Sequence, residues 1–156
     1  MELKLRRFQR GDEEAISKLH NETVRERCKQ HYNQVQIDAW SPIRTSFESL
    51  AKSLEDTISY VVEINNKIVG FGDLESDGRM KRLYTDKDFQ GKGVGKAIFK
   101  KLEEEARALG LQEVYLESSL NAKSFYEKEG CIAGPRIVFV EMHGVKIPVW
   151  PMRKRL

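Results

Sequence analysis

No stretch of this chain approaches the roughly 20 apolar residues that cross a bilayer, and Met1 to Arg10 lacks the apolar core of a secretory leader. Both absences predict a cytoplasmic protein. Cysteine is scarce: Cys28 and Cys131 are too few and too far apart for a disulfide framework or a metal knuckle, so they read as reduced thiols. His20, His31 and His143 are scattered without ligand spacing, and no metal is expected. A dominant charge is lacking too. The 27 basic and 24 acidic residues leave a net charge of +3, which gives no nucleic-acid footprint, and Arg153, Lys154 and Arg155 read as a solvated tail. No internal repeat suggests a solenoid, so 156 residues are expected to form one domain over 1–156.

What is present is enough for a core, with 40% hydrophobic and 33% charged residues. Leu3, Leu5 and Phe8 suggest a short strand, after which Asp12 is placed to cap a helix carrying Ile16, Leu19 and Val24 on one side. From Lys29 to Ser53 the pattern is irregular, with Trp40, Pro42 and Phe47 among polar residues, predicting short helical pieces joined by a mobile, substrate-selecting loop. Ile58 to Ile64 and Lys67 to Leu74 flank Asn65 and Asn66, a pair suited to the positive φ angles of a tight hairpin, and Met80 to Thr85 reads as a further strand. Val94, Ile98, Leu102, Ala106 and Leu109 then form one helical stripe ended by Gly110. Val114 to Leu116 begins another strand, and Ala122 to Glu129 a short helix closed by Gly130. Ile137 to Val140 and Val145 to Trp150 form a last hairpin around Gly144, with Pro148 marking an edge that could pair with a second copy in a homodimer. The order predicts an α/β fold with a mixed sheet.

The most informative segment is Asp88-Phe89-Gln90-Gly91-Lys92-Gly93-Val94-Gly95-Lys96, between a predicted strand and the long helix. A helix start offers unpaired N–H groups and partial positive charge, and glycines let backbone approach an anion, so the position suits a phosphate. Spacing narrows the choice. The Walker A pattern fails because Gly91 and Gly95 are one residue too close and Ala97 replaces the metal-binding hydroxyl. The dinucleotide pattern fails because Lys96 stands where the third glycine belongs.

Gln90, Gly93 and Gly95 instead match [QR]-x-x-G-x-[GA], and the stretch resembles the pyrophosphate loop of the GCN5-related N-acetyltransferases (GNAT). That resemblance implies a GNAT-like acyl-CoA N-acyltransferase fold: a mixed central sheet of about six to seven strands flanked by about four helices. It further implies that Gln90, Gly91, Lys92, Gly93, Val94 and Gly95 receive the coenzyme A pyrophosphate, with Lys96 adding charge. Leu83-Tyr84-Thr85 resembles the family strand ending in L-Y-V, whose backbone lies beside the pantetheine arm and thioester; Thr85 replaces the aliphatic residue. Ser118 to Gly130 resembles the family segment S-L-N-A-x-x-F-Y-E-x-x-G-F, with Cys131 in place of the final Phe. Within it Asn121 is either a coenzyme contact or the N-cap of the short helix. Tyr126 is implied to protonate the departing thiolate, an anchor in the core being its alternative. Tyr32 to Trp40, Gly70 to Glu75 and Met152-Arg153-Lys154 also resemble a bacterial subgroup often called YafP-like.

The resemblance implies transfer of an acetyl group from acetyl-coenzyme A to an amine by direct attack. Such a reaction needs donors for the carbonyl oxygen, met by backbone N–H near Thr85, and a base for the amine, for which Asp73 and Glu75 are the candidates. A covalent route through Cys131 finds no supporting neighbour, so that thiol reads as buried and inert. Tyr32, Trp40 and Trp150 are candidates to line an acceptor pocket for a small-molecule or peptide amine. Two other functions stay open: an acyl-CoA sensor without catalysis, and a protein-interaction module using Lys29 to Ser53.

Overall fold

The computed structural model describes residues 2–41 and 46–156; Pro42 and the loop expected around it lie outside the described residues. Asn65 and Asn66 take φ angles of 51° and 64°, making the tight turn between β2 (Ile58–Ile64) and β3 (Lys67–Leu74). The hairpin is extended antiparallel by β1 (Lys4–Arg7) against β2 and β4 (Met80–Thr85) against β3, giving a four-stranded sheet in the order β1-β2-β3-β4. A second sheet has β8 (Val145–Arg155) between β5 (Glu113–Ser118) and β6 (Ile132–Ala133), with β7 (Val138–Met142) also paired to β8.

The sheets meet at one place. Arg79 and Tyr115 form an isolated parallel bridge, and the Tyr115 N–H reaches the Gly78 carbonyl at 3.1 Å. Beyond it β4 and β5 run side by side without a ladder between them, so a split opens toward Thr85 and Ser118. The single mixed sheet expected from the element order is therefore two antiparallel halves joined in parallel at one point.

α4 (Val94–Ala108) covers one face. Its Val94, Ile98, Phe99, Leu102 and Ala106 pack with Val62, Val69, Leu74 and Leu116, and each large side chain so buried contributes about 1.5–3 kcal/mol. The close approach depends on Gly70 and Gly72 of β3: an added Cβ would lie 2.5 Å from Val94 Cγ1 at Gly70 and 2.6 Å from Ile98 Cγ2 at Gly72. On the other face α1 (Glu13–Arg27) and α3 (Phe47–Glu55) set Ile16, Leu19 and Leu54 against Val61 and Phe71. α2 (Gln34–Trp40) lays Ile37 and Trp40 on Ile147 and Val149, and α5 (Lys123–Lys128) follows β5. Among the described residues no helix is long and apolar enough to cross a membrane.

One local expectation is corrected and one narrowed. Asp12 occupies the N-cap position of α1, but its carboxylate takes the Arg6 guanidinium and the Gln9 N–H rather than a helix N–H. Pro148 lies where β8 has a single strand neighbour: residues 145–149 pair with β7 alone and 150–155 with β5, so the expected edge is confined to the first stretch, and the flank of Pro148 away from β7 carries no strand. That flank is already used: the Tyr32 hydroxyl donates to the Pro148 carbonyl at 2.7 Å, and Gln36 Nε2 to the Lys146 carbonyl at 3.2 Å.

Candidate active site

β4 ends where Asp86 turns the chain. Asp86 Oδ1 accepts the Asp88 N–H at 2.8 Å and its carbonyl the Phe89 N–H at 2.9 Å, folding Lys87–Phe89 into a 3-10 turn that delivers the glycine loop. Gly91 and Gly93 have φ of 74° and 82°, the left-handed region where a side chain is strained, and Gly93 is the residue that opens α4. The first bond closing the helix runs from the Ala97 N–H to the Gly93 carbonyl at 3.0 Å. The amides of Val94, Gly95 and Lys96 are thus left without helical partners, the array that receives an anion. Gly95 also keeps the approach narrow, since a Cβ there would meet the Phe125 ring at 3.2 Å.

The loop opens on a cleft of about 470 Å³ that occupies the split, a size usual for ligand sites. Gln90, Gly91, Gly93, Val94, Gly95 and Lys96 line it, and Lys92 does not. Gln90 acts through its side chain as well: Nε2 donates to the Thr85 carbonyl at 2.9 Å, and Thr23 Oγ1 of α1 donates to the same oxygen at 3.1 Å.

One wall is β4. The Asp86 N–H bonds back to Val69 of β3, so strand alternation turns the amides of Leu83 and Thr85 away from β3 and into the split. Tyr84 also lines the cleft, with its side chain tied into the core behind it. Its ring stacks on Phe71 with centroids 5.6 Å apart, its hydroxyl accepts Trp40 Nε1–H at 2.9 Å, and burial pushes the phenol well above the usual tyrosine range.

The other wall is β5 and α5, carrying Glu117, Ser119, Asn121, Ala122, Ser124, Phe125 and Tyr126. Tyr126 is 8% exposed, and its hydroxyl has no hydrogen bond among the described residues. Burial raises its pKa above the usual range, first, and the neighbouring Tyr84 and Cys131 add to this, so it keeps its proton at neutral pH. Asn121 does not cap α5. Ala122 holds that position without a side-chain bond, and Asn121 Oδ1 is the one buried side-chain polar atom without a partner among the described residues. An orphaned acceptor in a cleft wall is a cost that a donor on a ligand relieves.

The two expected bases lie outside the cleft. Asp73 is fully buried and accepts Arg82 Nε at 3.1 Å and Thr57 Oγ1 at 2.7 Å, a structural ion pair beneath the sheet. Glu75 pairs with Arg79 at 3.0 Å and lines a separate shallow depression with Ser53, Thr57 and Lys81. Two carboxylates do line the cleft: Glu117 of β5, with Arg79 at 3.1 Å, and Glu129 at the C-terminal end of α5. Alternation along Glu113-Val114-Tyr115-Leu116-Glu117 already puts Glu117 on the face opposite buried Leu116, a signal the sequence contains. Thr23, Arg27 and Cys28 of the α1 end and Trp40 of α2 also line the cleft. Trp150 and Tyr32 do not line the cleft; the Tyr32 hydroxyl is taken by the Leu120 N–H and the Pro148 carbonyl. Burial pushes the Cys131 thiol up to about 11, which keeps it protonated and unreactive.

The family model of the acetyltransferase (GNAT) domain matches residues 28–156. An uncharacterized N-acetyltransferase in the pepI 3′ region of Lactobacillus delbrueckii subsp. lactis is 28% identical over 122 residues, covering 60% of this chain and 70% of that protein. Among solved structures, a GCN5-related N-acetyltransferase of Rhodopseudomonas palustris aligns with a TM-score of 0.94 at 23% identity, covering 100% of this chain and 97% of the other. The PaiA N-acetyltransferase of Thermoplasma acidophilum, in complex with coenzyme A, aligns with a TM-score of 0.80 at 20% identity over 100% of both chains. At these identities the two structures establish a shared α/β fold.

Proposed function

The chain belongs to the acetyltransferase (GNAT) domain family, and from that premise we propose that it is a single-domain N-acetyltransferase passing an acetyl group from acetyl-coenzyme A to an amine bound beside it. One observation carries the reading: the unpartnered amides of Val94, Gly95 and Lys96 open on the same cleft as the buried, protonated phenol of Tyr126. When bound, acetyl-coenzyme A supplies a thioester whose acetyl carbon is open to attack. The residues that would hold it are the loop from Gln90 to Lys96, the Leu83 and Thr85 backbone, and Asn121 through its unsatisfied Oδ1.

The chain's own groups then divide the work. The amides of the Gly93–Lys96 turn bind the diphosphate, the Thr85 N–H donates to the thioester carbonyl as charge builds on its oxygen, and Tyr126 gives a proton to the leaving sulfur. Asp73 and Glu75 lie outside the cleft; of Glu117 and Glu129, which line it, Glu117 on β5 accepts the amine proton, and Glu129 stands at the end of α5 that carries Tyr126. The acceptor, a small-molecule or peptide amine, enters from the side of Arg27, Cys28 and Trp40.

Tyr126→Phe tests the assignment. Thiol release over a panel of amines should fall tenfold or more in kcat, the range a general acid contributes being about 10²–10⁴, while coenzyme A affinity by calorimetry changes little. An unchanged kcat removes Tyr126 as the acid. Coenzyme A binding with no thiol release from any amine would mark the chain as a sensor.

A further inference from the structure

We propose that Arg79 is a positioning residue of the transfer reaction, fixing the carboxylate of Glu117 where it meets the acceptor amine; this rests on the reading of Glu117 as proton acceptor. Arg79 sits at the bridge to Tyr115, the point from which β4 and β5 diverge, so its backbone is held by both sheets. Its guanidinium spans two glutamates: Nη1 reaches Glu75 Oε1 at 3.0 Å, while Nη2 reaches Glu117 Oε1 at 3.1 Å and Nε reaches Glu117 Oε2 at 3.4 Å. Two adjacent nitrogens thus reach the two oxygens of Glu117, Nε as a hydrogen bond and Nη2 at ion-pair distance, which holds the carboxylate from one side. Each oxygen keeps a lone pair directed elsewhere, and the cleft is the open side.

Three features make this more than a surface ion pair. Both partners are only partly exposed, with 34% of the Arg79 side chain and 26% of the Glu117 side chain accessible. The backbone around Arg79 is pinned on its other flank: Asp77 accepts the Arg79 N–H at 3.1 Å, and Glu75 N–H donates to the Arg79 carbonyl at 2.8 Å. Glu75 and Glu117 also share this cation, so removing it leaves two carboxylates facing one another and drives Glu117 from its place. A base displaced by about 1 Å costs up to 10²-fold in rate.

The experiment measures kcat, KM for acetyl-coenzyme A and coenzyme A affinity for Arg79→Gln, Arg79→Lys and Glu117→Gln in the full chain. Arg79→Gln should lower kcat about ten- to hundredfold with KM for acetyl-coenzyme A and coenzyme A affinity held. Arg79→Lys, which keeps the charge and loses the second nitrogen, should recover part of that loss. Native kcat in Arg79→Gln, with Glu117→Gln inactive, overturns the role of Arg79 alone. Native kcat in Glu117→Gln overturns the assignment of the base beneath it. A loss in Arg79→Gln that is matched by lost coenzyme affinity, and not relieved in Arg79→Lys, shows Arg79 to be scaffold only and overturns the proposal.

Discussion

His20 shows how a single side chain couples folding to pH. Its ring meets Tyr84 edge-on at 4.6 Å, and burial disfavours the charged imidazolium, holding the pKa down to about 4; the Asn21 side chain opposes this and Arg82 reinforces it. The unfolded chain takes up the proton near pH 6.5 and the folded one does not, so stability is lost as pH falls from about 6.5 toward 4, by about 3 kcal/mol when complete. His20→Gln should remove that share of the acid sensitivity. Urea denaturation at pH 7 and 4.5 checks it: a variant that loses as much stability as the parent on acidification exonerates His20. Asp73 carries the complementary lesson. Read along the chain it is an acidic residue at a strand end pointing toward a cofactor loop; its opposition to Arg82 across β3 and β4 is visible only once the register is known.

At the scale of elements, the contact between β3 and α4 sets the position of the loop, because the same helix that packs on Gly70 and Gly72 begins at Gly93. Gly72→Ala would place a methyl 2.6 Å from Ile98 Cγ2 and 3.0 Å from the Arg82 carbonyl. Overpacking of this kind costs about 1–3 kcal/mol, and it should weaken coenzyme A binding as α4 is pushed outward. Thermal melts with and without coenzyme A separate the two effects. The periodic elements were legible: the Asn65-Asn66 hairpin and the α4 stripe from Val94 to Ala106 lie where their spacing predicts, since each depends on neighbours in sequence, whereas Leu109, expected on the same stripe, is the exposed C-cap. A capping box at Asn33 and Gln36, which fixes α2, was equally present as N-x-x-Q yet hidden in an irregular stretch. Asn121 misled because a good N-cap type precedes a helix that in fact begins one residue later. The full extent of β8 was not legible: Pro148 reports only its own flank, where the strand is an edge, and whether residues 150–155 have a second neighbour is a tertiary fact.

For the whole molecule, both sheets contribute to one cleft, so a ligand there should stabilise the fold as a unit. At one hundred times its Kd, coenzyme A is expected to add about 2.7 kcal/mol, read as a single shifted melting transition. Two transitions, one of them unmoved, would show that the halves unfold apart. The half of the cleft proposed for coenzyme A was readable because a glycine-rich helix start is a local backbone motif carried by Gln90, Gly93 and Gly95. The half proposed for the acceptor was not, because Thr23, Arg27, Cys28, Trp40 and Glu117 come from three elements and no spacing links them.

The strand order also dictates a timetable for biosynthesis. β5 emerges from the ribosome at residues 113–118, but the ladder that secures it is formed by residues 150–155, more than thirty residues later. At the usual pace of about 5–20 residues per second, the Glu117 wall waits seconds for its partner while β1 to β4 already have theirs. During that interval a nascent chain would hold a folded hairpin sheet and an unpaired β5, the state in which a chaperone has most to protect.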